Sequence, residues 1–341
     1  MPPFVAAIHP LSAIEGGRIT LEGSDFPIDL PRLPDVRIGD KPARVVYASS
    51  THIGAIVPAG ITPGGRTAIR IDPSTGSGQV QPDTTTFVEI AAALATGLHQ
   101  VDNPVLDREG NLYVTYSGTR GQQVPVSIFR VRPDGTREPF STAIVNPTSM
   151  AFGPDGLLYA SSRFEGTVYR VKPDGSTESF ATHLRVACGL AFAPDGTLFV
   201  GDRSGTIFRV DRGGKTTAFA SLPGSVAAFH LAMGPDGSLY VTGPTLSTYD
   251  AIHKVAPDGT VTHPFPKFGR PQGLAFDASG TLFVVEALAG SSGLYRMAPD
   301  GTSRLVLSGP GLIGLAFDRD GGVVVCSSDT AYRLPHTRAL A

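Results

Sequence analysis

The sequence predicts an all-β protein in two parts, a small β-sandwich followed by a six-bladed β-propeller. Three observations carry this reading. A strand-and-turn unit recurs six times along the chain with a period near 40 residues. Residues 1–72 hold short strands but none of those turn signals, and a polar tract separates the two textures.

The unit is clearest over Asn146–Thr182. Ser149–Phe152 is apolar, Gly153-Pro154-Asp155-Gly156 is a turn, and Leu157–Ser161 alternates around Tyr159. Thr167–Val171 follows, then the turn Lys172-Pro173-Asp174-Gly175 and a last strand, Ser176–Thr182. Proline presets φ at the first central turn position and glycine supplies a positive φ at no steric cost. The runs between turns have strand length and are rich in Val, Phe, Tyr and Thr.

The residue ending the first strand falls at Leu106, Phe152, Phe192, Met233, Phe276 and Phe317, in steps of 46, 40, 41, 43 and 41. Four strands per unit at this period is the signature of a propeller blade, because one such sheet cannot bury its own faces. The sixth unit lacks a fourth strand before the chain ends. Ile90–Leu98 (IAAALATGL) has the missing pattern, so it is expected to pair with the last blade and close the ring. Closure removes an exposed sheet edge.

Residues 1–72 supply six or seven short strands, which suits a small β-sandwich. Residues 73–86 (PSTGSGQVQPDTTT) read as a linker, leaving 87–341 for the propeller. The linker is short, so the sandwich should sit near blades one and six. Forty-one glycines and 29 prolines fit a turn-rich β protein. A net charge of −2 gives no basic footprint for nucleic acid, and no apolar run reaches the length of a membrane span. MPPFVAAIHP has neither a basic nor a hydrophobic leader segment. The expected compartment is the cytoplasm, or outside it if the chain is a trimmed form. Cys188 and Cys326 fall in opposite blades, too far apart for a disulfide.

Two resemblances follow from particular residues. Ile8-x-Pro10, Gly16-Gly17, Thr20, Gly23, Phe26, Val36-x-Ile38-Gly39, Val57-Pro58 and Gly64-Gly65 make residues 1–72 resemble the IPT/TIG immunoglobulin-like domains. That likeness implies a spacing, docking or partner-binding module. From Phe87 onward the repeated G-L-A-F-x-x-D-G-x-L-Y/F-V pattern, best kept at Gly189–Val200 and Gly273–Val284, resembles NHL-repeat and SMP-30/gluconolactonase propellers. The same scaffold hosts enzymes and binders, so function has to be argued from the site.

The first strands line the channel, and their entry ends, with the loops after the second strands, form the expected ligand face. Positions of one chemical type in every blade, such as the third-strand basic residues Arg130, Arg170, Arg209, Lys254, Arg296 and Arg333, belong to the architecture. Residues that break the repeat are the ligand-binding candidates: Asp102, Asn103, Arg163, Asp202, Arg203, His230, Gln272 and Glu286. With Tyr116, Arg120 and Tyr249 they suit recognition of a small molecule, a glycan or a protein. Non-catalytic binding is the favoured function. The alternative is metal-dependent lactone or ester hydrolysis. The gluconolactonase resemblance implies a metal ligand at Asp102, with Ca2+ or another divalent cation as cofactor. The further metal-ligand positions it implies carry Cys188 and Phe229, and the substrate-binding position carries Thr148. No catalytic residue is assigned. His230 is a candidate general base, but no nucleophile motif accompanies it.

Overall fold

The computed structural model describes residues 4–28, 33–62, 65–72, 86–288, 290 and 292–334. All its regular elements are strands. Nearly all of the expected linker, 73–86, lies outside the described residues.

In the sandwich, Phe4–His9, Arg18–Ser24, His52–Ile56 and Lys41–Ala48 lie side by side. Asp35–Ile38, Gly65–Asp72 and Phe87–Ile90 continue the sheet. Alternation along these strands turns Ile19, Leu21, Val36, Ile38, Ile53 and Val88 inward to a single core. Phe87–Ile90 pairs with Gly65–Asp72, so the sandwich takes a strand from beyond residue 85.

Each blade repeats one order. In the second, Pro147–Phe152, Leu158–Ser162, Thr167–Val171 and Thr177–Ala181 run from the channel outward as an antiparallel sheet. Five such four-stranded sheets stand free. The expectation of six separate blades is corrected at Pro271–Ser308. These four strands are laid out like a blade but belong to a twelve-stranded sheet shared with the sandwich. The join is Ser12–Ala13, which pairs in parallel with Leu307–Ser308 on one side and Glu89–Ile90 on the other. Numbered in chain order, the merged quartet is blade five, so the sandwich sits on blades five and six rather than one and six. Ala92–Thr96 pairs antiparallel with Thr330–Leu334 and closes the ring.

The Pro-Asp-Gly turns explain themselves locally. Asp155 Oδ1 accepts the Leu157 N–H at 3.1 Å, its Oδ2 accepts the Tyr159 hydroxyl at 2.9 Å, and Gly156 sits at φ +79°. Tyr159 meets Phe180 of its own blade and Phe192 of the next edge-on, at centroid distances of 5.0 and 4.9 Å. Several third-strand basic residues are paired: Arg170 with Glu178 at 2.7 Å, Lys254 with Asp236 at 2.7 Å and Arg333 with Asp318 at 3.0 Å. Such exposed pairs contribute at most about 1 kcal/mol each.

Blade four carries a feature with no counterpart in the others. His253 Nδ1 lies 2.9 Å from His263 Nδ1, across neighbouring strands. Burial lowers the His253 pKa from 6.5 to about 4, with His263 adding and Asp250 opposing. The folded state therefore resists protonation that the unfolded chain accepts. Stability is complete above about pH 6.5 and is lost as pH falls toward 4, by about 3 kcal/mol in all. Melting temperature measured across that window should drop in the wild type and stay nearly flat in His253→Leu. Equal slopes in the two proteins would refute the assignment.

Candidate functional site

The channel is closed from within. His230 begins the first strand of blade four and is fully buried. Its Nδ1 reaches Asp102 of blade one, on the opposite side of the ring, and donates to Oδ1 at 2.5 Å. The Asn103 N–H donates to the same oxygen at 2.7 Å. Gln100 holds this segment by donating from Nε2 to the Asp102 carbonyl at 2.6 Å, while its Oε1 accepts the Thr115 N–H at 2.8 Å. The far nitrogen of the imidazole, His230 Nε2, is sealed from solvent and has no hydrogen-bond partner. Glycine at 273 is required here, because a Cβ would lie 2.1 Å from Asn103 Oδ1.

Three of the sequence-predicted residues prove to be structural. Asn103 staples the ring, donating from Nδ2 to the Leu274 carbonyl at 2.8 Å and accepting the Leu315 N–H at 3.0 Å. Asp202 is fully buried and accepts from the Val186 N–H at 3.1 Å and from the Ser204 hydroxyl. Glu286 is 3% exposed and accepts the N–H groups of Gly269, Arg270 and Leu288 at 2.8, 2.6 and 2.8 Å. Both acids end a second strand, where they cap the loops that would otherwise leave backbone donors unpaired. Glu286 therefore does not present a free carboxylate at the opening. Gln272 is buried, and its backbone carbonyl accepts the Thr242 hydroxyl at 2.5 Å.

The basic candidates do come together. Arg163 is half-buried and makes no ion pair and no side-chain hydrogen bond among the described residues. Burial lowers its pKa first, the Cys188 thiol opposes this, and the charges of Arg203 and Arg120 lower it further. Arg203 is pinned to the next connection, donating from Nε to the Ser225 carbonyl at 3.2 Å and from Nη2 to Val226 at 2.7 Å. The Arg120 loop is tied to blade two by Asn146. Its Oδ1 accepts the Gly121 N–H at 2.6 Å and its Nδ2 donates to the Thr119 carbonyl at 2.7 Å. His99 joins the group and is held neutral by burial and by Arg163. Sequence reading missed His99 because it lies between the closing strand and blade one, outside the repeat. Cys188 is 2% exposed, and burial pushes its thiol to about 12, so it is not a nucleophile.

The opposite, turn-bearing face opens into the channel. A cavity of about 430 Å³ runs up the channel from there, lined by Asp102, Asn103, Ser149 and the apolar ends of the first strands. Cavities of about 540 and 510 Å³ adjoin it around Pro154. The expected mouth is thus a basic surface over a closed floor, and the deep space lies behind it.

The donor set does not fit a hard divalent cation. Among the described residues no three His, Cys, Asp or Glu side chains converge as metal ligands. Asp102 Oδ1 is taken by His230 and Asn103, and the neighbouring positions are a protonated thiol at Cys188 and the hydrocarbon ring of Phe229.

Fold and site together define a propeller with a fused immunoglobulin-like module. The IPT/TIG pattern matches residues 3–88. That of the virginiamycin B lyase family matches residues 107–305, more than half of the chain, which therefore belongs to that family. No curated protein matches it in sequence. An auxiliary nutrient binding protein from Bacteroides thetaiotaomicron is similar at 13% identity, covering 98% of each chain with a TM-score of 0.57. A gluconolactonase from Xanthomonas campestris is similar at 17% identity over 71% of this chain and 88% of its own, TM-score 0.59. A catalytically inactive histidine-to-alanine variant of virginiamycin B lyase from Staphylococcus aureus, solved with quinupristin, covers 71% and 97% at 15% identity and TM-score 0.51. At these identities the likeness is one of fold.

Proposed function

We propose that the protein binds an anionic ligand at the channel mouth, without covalent chemistry. The observation that carries this is Arg163: a half-buried guanidinium with no ion pair among the described residues, within the electrostatic reach of Arg203 and Arg120. The Arg203 side chain is held by its bonds to the Ser225 and Val226 carbonyls, and the loop backbone beside Arg120 is held by Asn146. A half-buried charge beside exposed like charges destabilises a fold unless a counter-charge arrives, and planar guanidiniums match carboxylate or phosphate oxygens. The nutrient-binding relative agrees with a binding role.

Calorimetric titration with inorganic phosphate and with succinate at low ionic strength tests it. The wild type should bind saturably and gain melting temperature by mass action. Arg163→Met should bind at least tenfold more weakly while melting at the same temperature or higher. Equal affinity in the two proteins would sink the reading.

A second reading rests on the Asp102–His230 pair. A carboxylate that orients an imidazole with an unpartnered far nitrogen is the arrangement of a general base. Turnover of a lactone, an aryl ester or quinupristin, abolished in His230→Gln, would support catalysis. Inertness of the wild type toward all three leaves binding as the function.

A further inference from the structure

The cavity on the turn face has the makings of a second site, independent of the basic mouth. Its wall is formed at the ends of the first strands, where Leu106, Phe152, Phe192, Met233, Phe276 and Phe317 stand half-buried around the opening. At its inner end is Asp102, 2% exposed and lining the cavity. One oxygen of that carboxylate, Oδ1, takes the bonds from His230 and Asn103. The other, Oδ2, takes no hydrogen bond among the described residues and is not one of the unpartnered atoms sealed from solvent, and Asp102 lines the cavity. Ser149, also on the lining, uses its Oγ to accept the Leu190 N–H at 3.0 Å and leaves its hydroxyl proton directed to no partner.

A buried carboxylate with one unused oxygen, at the end of an apolar and aromatic funnel, calls for a compact cation with a hydrocarbon surface. Aromatic ring faces at a cavity wall attract such ions beyond the effect of burial alone. The rims of the adjoining cavities carry Asp107, Glu109 and Asp277 together with Arg108 and Arg319, so the carboxylate at the inner end supplies the charge that selects the ion. A volume of about 430 Å³ lies within the range of small-molecule sites.

We propose that this funnel binds an alkylammonium ion, with its charge against Asp102 Oδ2 and its hydrocarbon groups on the apolar wall. The probe is choline, compared with its neutral isostere 3,3-dimethylbutan-1-ol, by calorimetry on the full chain. Choline should bind saturably and at least tenfold more tightly than the alcohol. Asp102→Asn, which keeps shape and one acceptor oxygen, should weaken choline at least tenfold and leave the alcohol unchanged. Ala275→Leu, which narrows the funnel and leaves the carboxylate in place, should weaken both, and melting curves confirm that each variant is folded. Equal affinity for choline and the alcohol, or undiminished choline binding in Asp102→Asn, overturns the proposal. Failure here does not touch the anion site, since neither variant alters Arg120, Arg163 or Arg203.

Discussion

Phe229→Ala should lower the stability of the propeller by about 3–5 kcal/mol, the usual loss for deleting a fully enclosed ring. Phe229 has no exposed surface and is among the largest fully buried side chains. Its neighbours are cut to fit it. A Cβ at Gly243 would stand 2.5 Å from its ring, and one at Gly201 would stand 3.0 Å from its Cβ. Backbone on two sides leaves little to collapse into the void, so the loss should fall at the upper end. Phe229→Leu should recover at least half. Because His230 follows directly, the cavity variant should also loosen the bond to Asp102, visible as faster exchange of the imidazole proton by NMR. A denaturation midpoint close to wild type would mean that blade four packs far less tightly than these contacts require.

Ala13→Asp should separate the two domains. Ala13 is fully buried in a two-residue strand between Ser308 and Ile90. The approach there is close: a Cβ at Gly17 would lie 2.3 Å from the Ser308 carbonyl oxygen. The Arg18 N–H donates to the Ser308 hydroxyl at 2.8 Å. An unpaired carboxylate in this seam should destabilise it by about 3 kcal/mol or more. Scanning calorimetry should then resolve two transitions in the variant where the wild type shows one. A single unshifted transition in the variant would show that the shared sheet does not couple the domains.

The propeller was legible because its information is repeated: a Pro-Asp-Gly turn or its equivalent after every first strand sets strand length, direction and face. The immunoglobulin-like module was legible from paired glycines and a few spaced apolar residues. The merging of blade five with the sandwich was not, because Ser12–Ala13 is too short to show any periodicity and its partner in that blade, Leu307–Ser308, is almost 300 residues away. The site was read in part. Breaks in the repeat single out Arg163, Arg203, Asp102 and His230, the residues on which the proposed sites rest. The same rule also selected Asp202 and Glu286, since an acid that caps a loop breaks the pattern as visibly as one that meets a ligand. Only the hydrogen-bond partners tell those two uses apart.

The latch between Ala92–Thr96 and Thr330–Leu334 has a consequence for synthesis. Its second half leaves the ribosome more than 230 residues after its first. At about 5–20 residues per second, the early strand waits on the order of ten seconds or more for its mate. Throughout that interval a nascent ring stands ajar with a raw margin. The waiting segment is AALAT, four small or aliphatic residues and a threonine with no aromatic or β-branched run. Such a strand offers little to a stray chain.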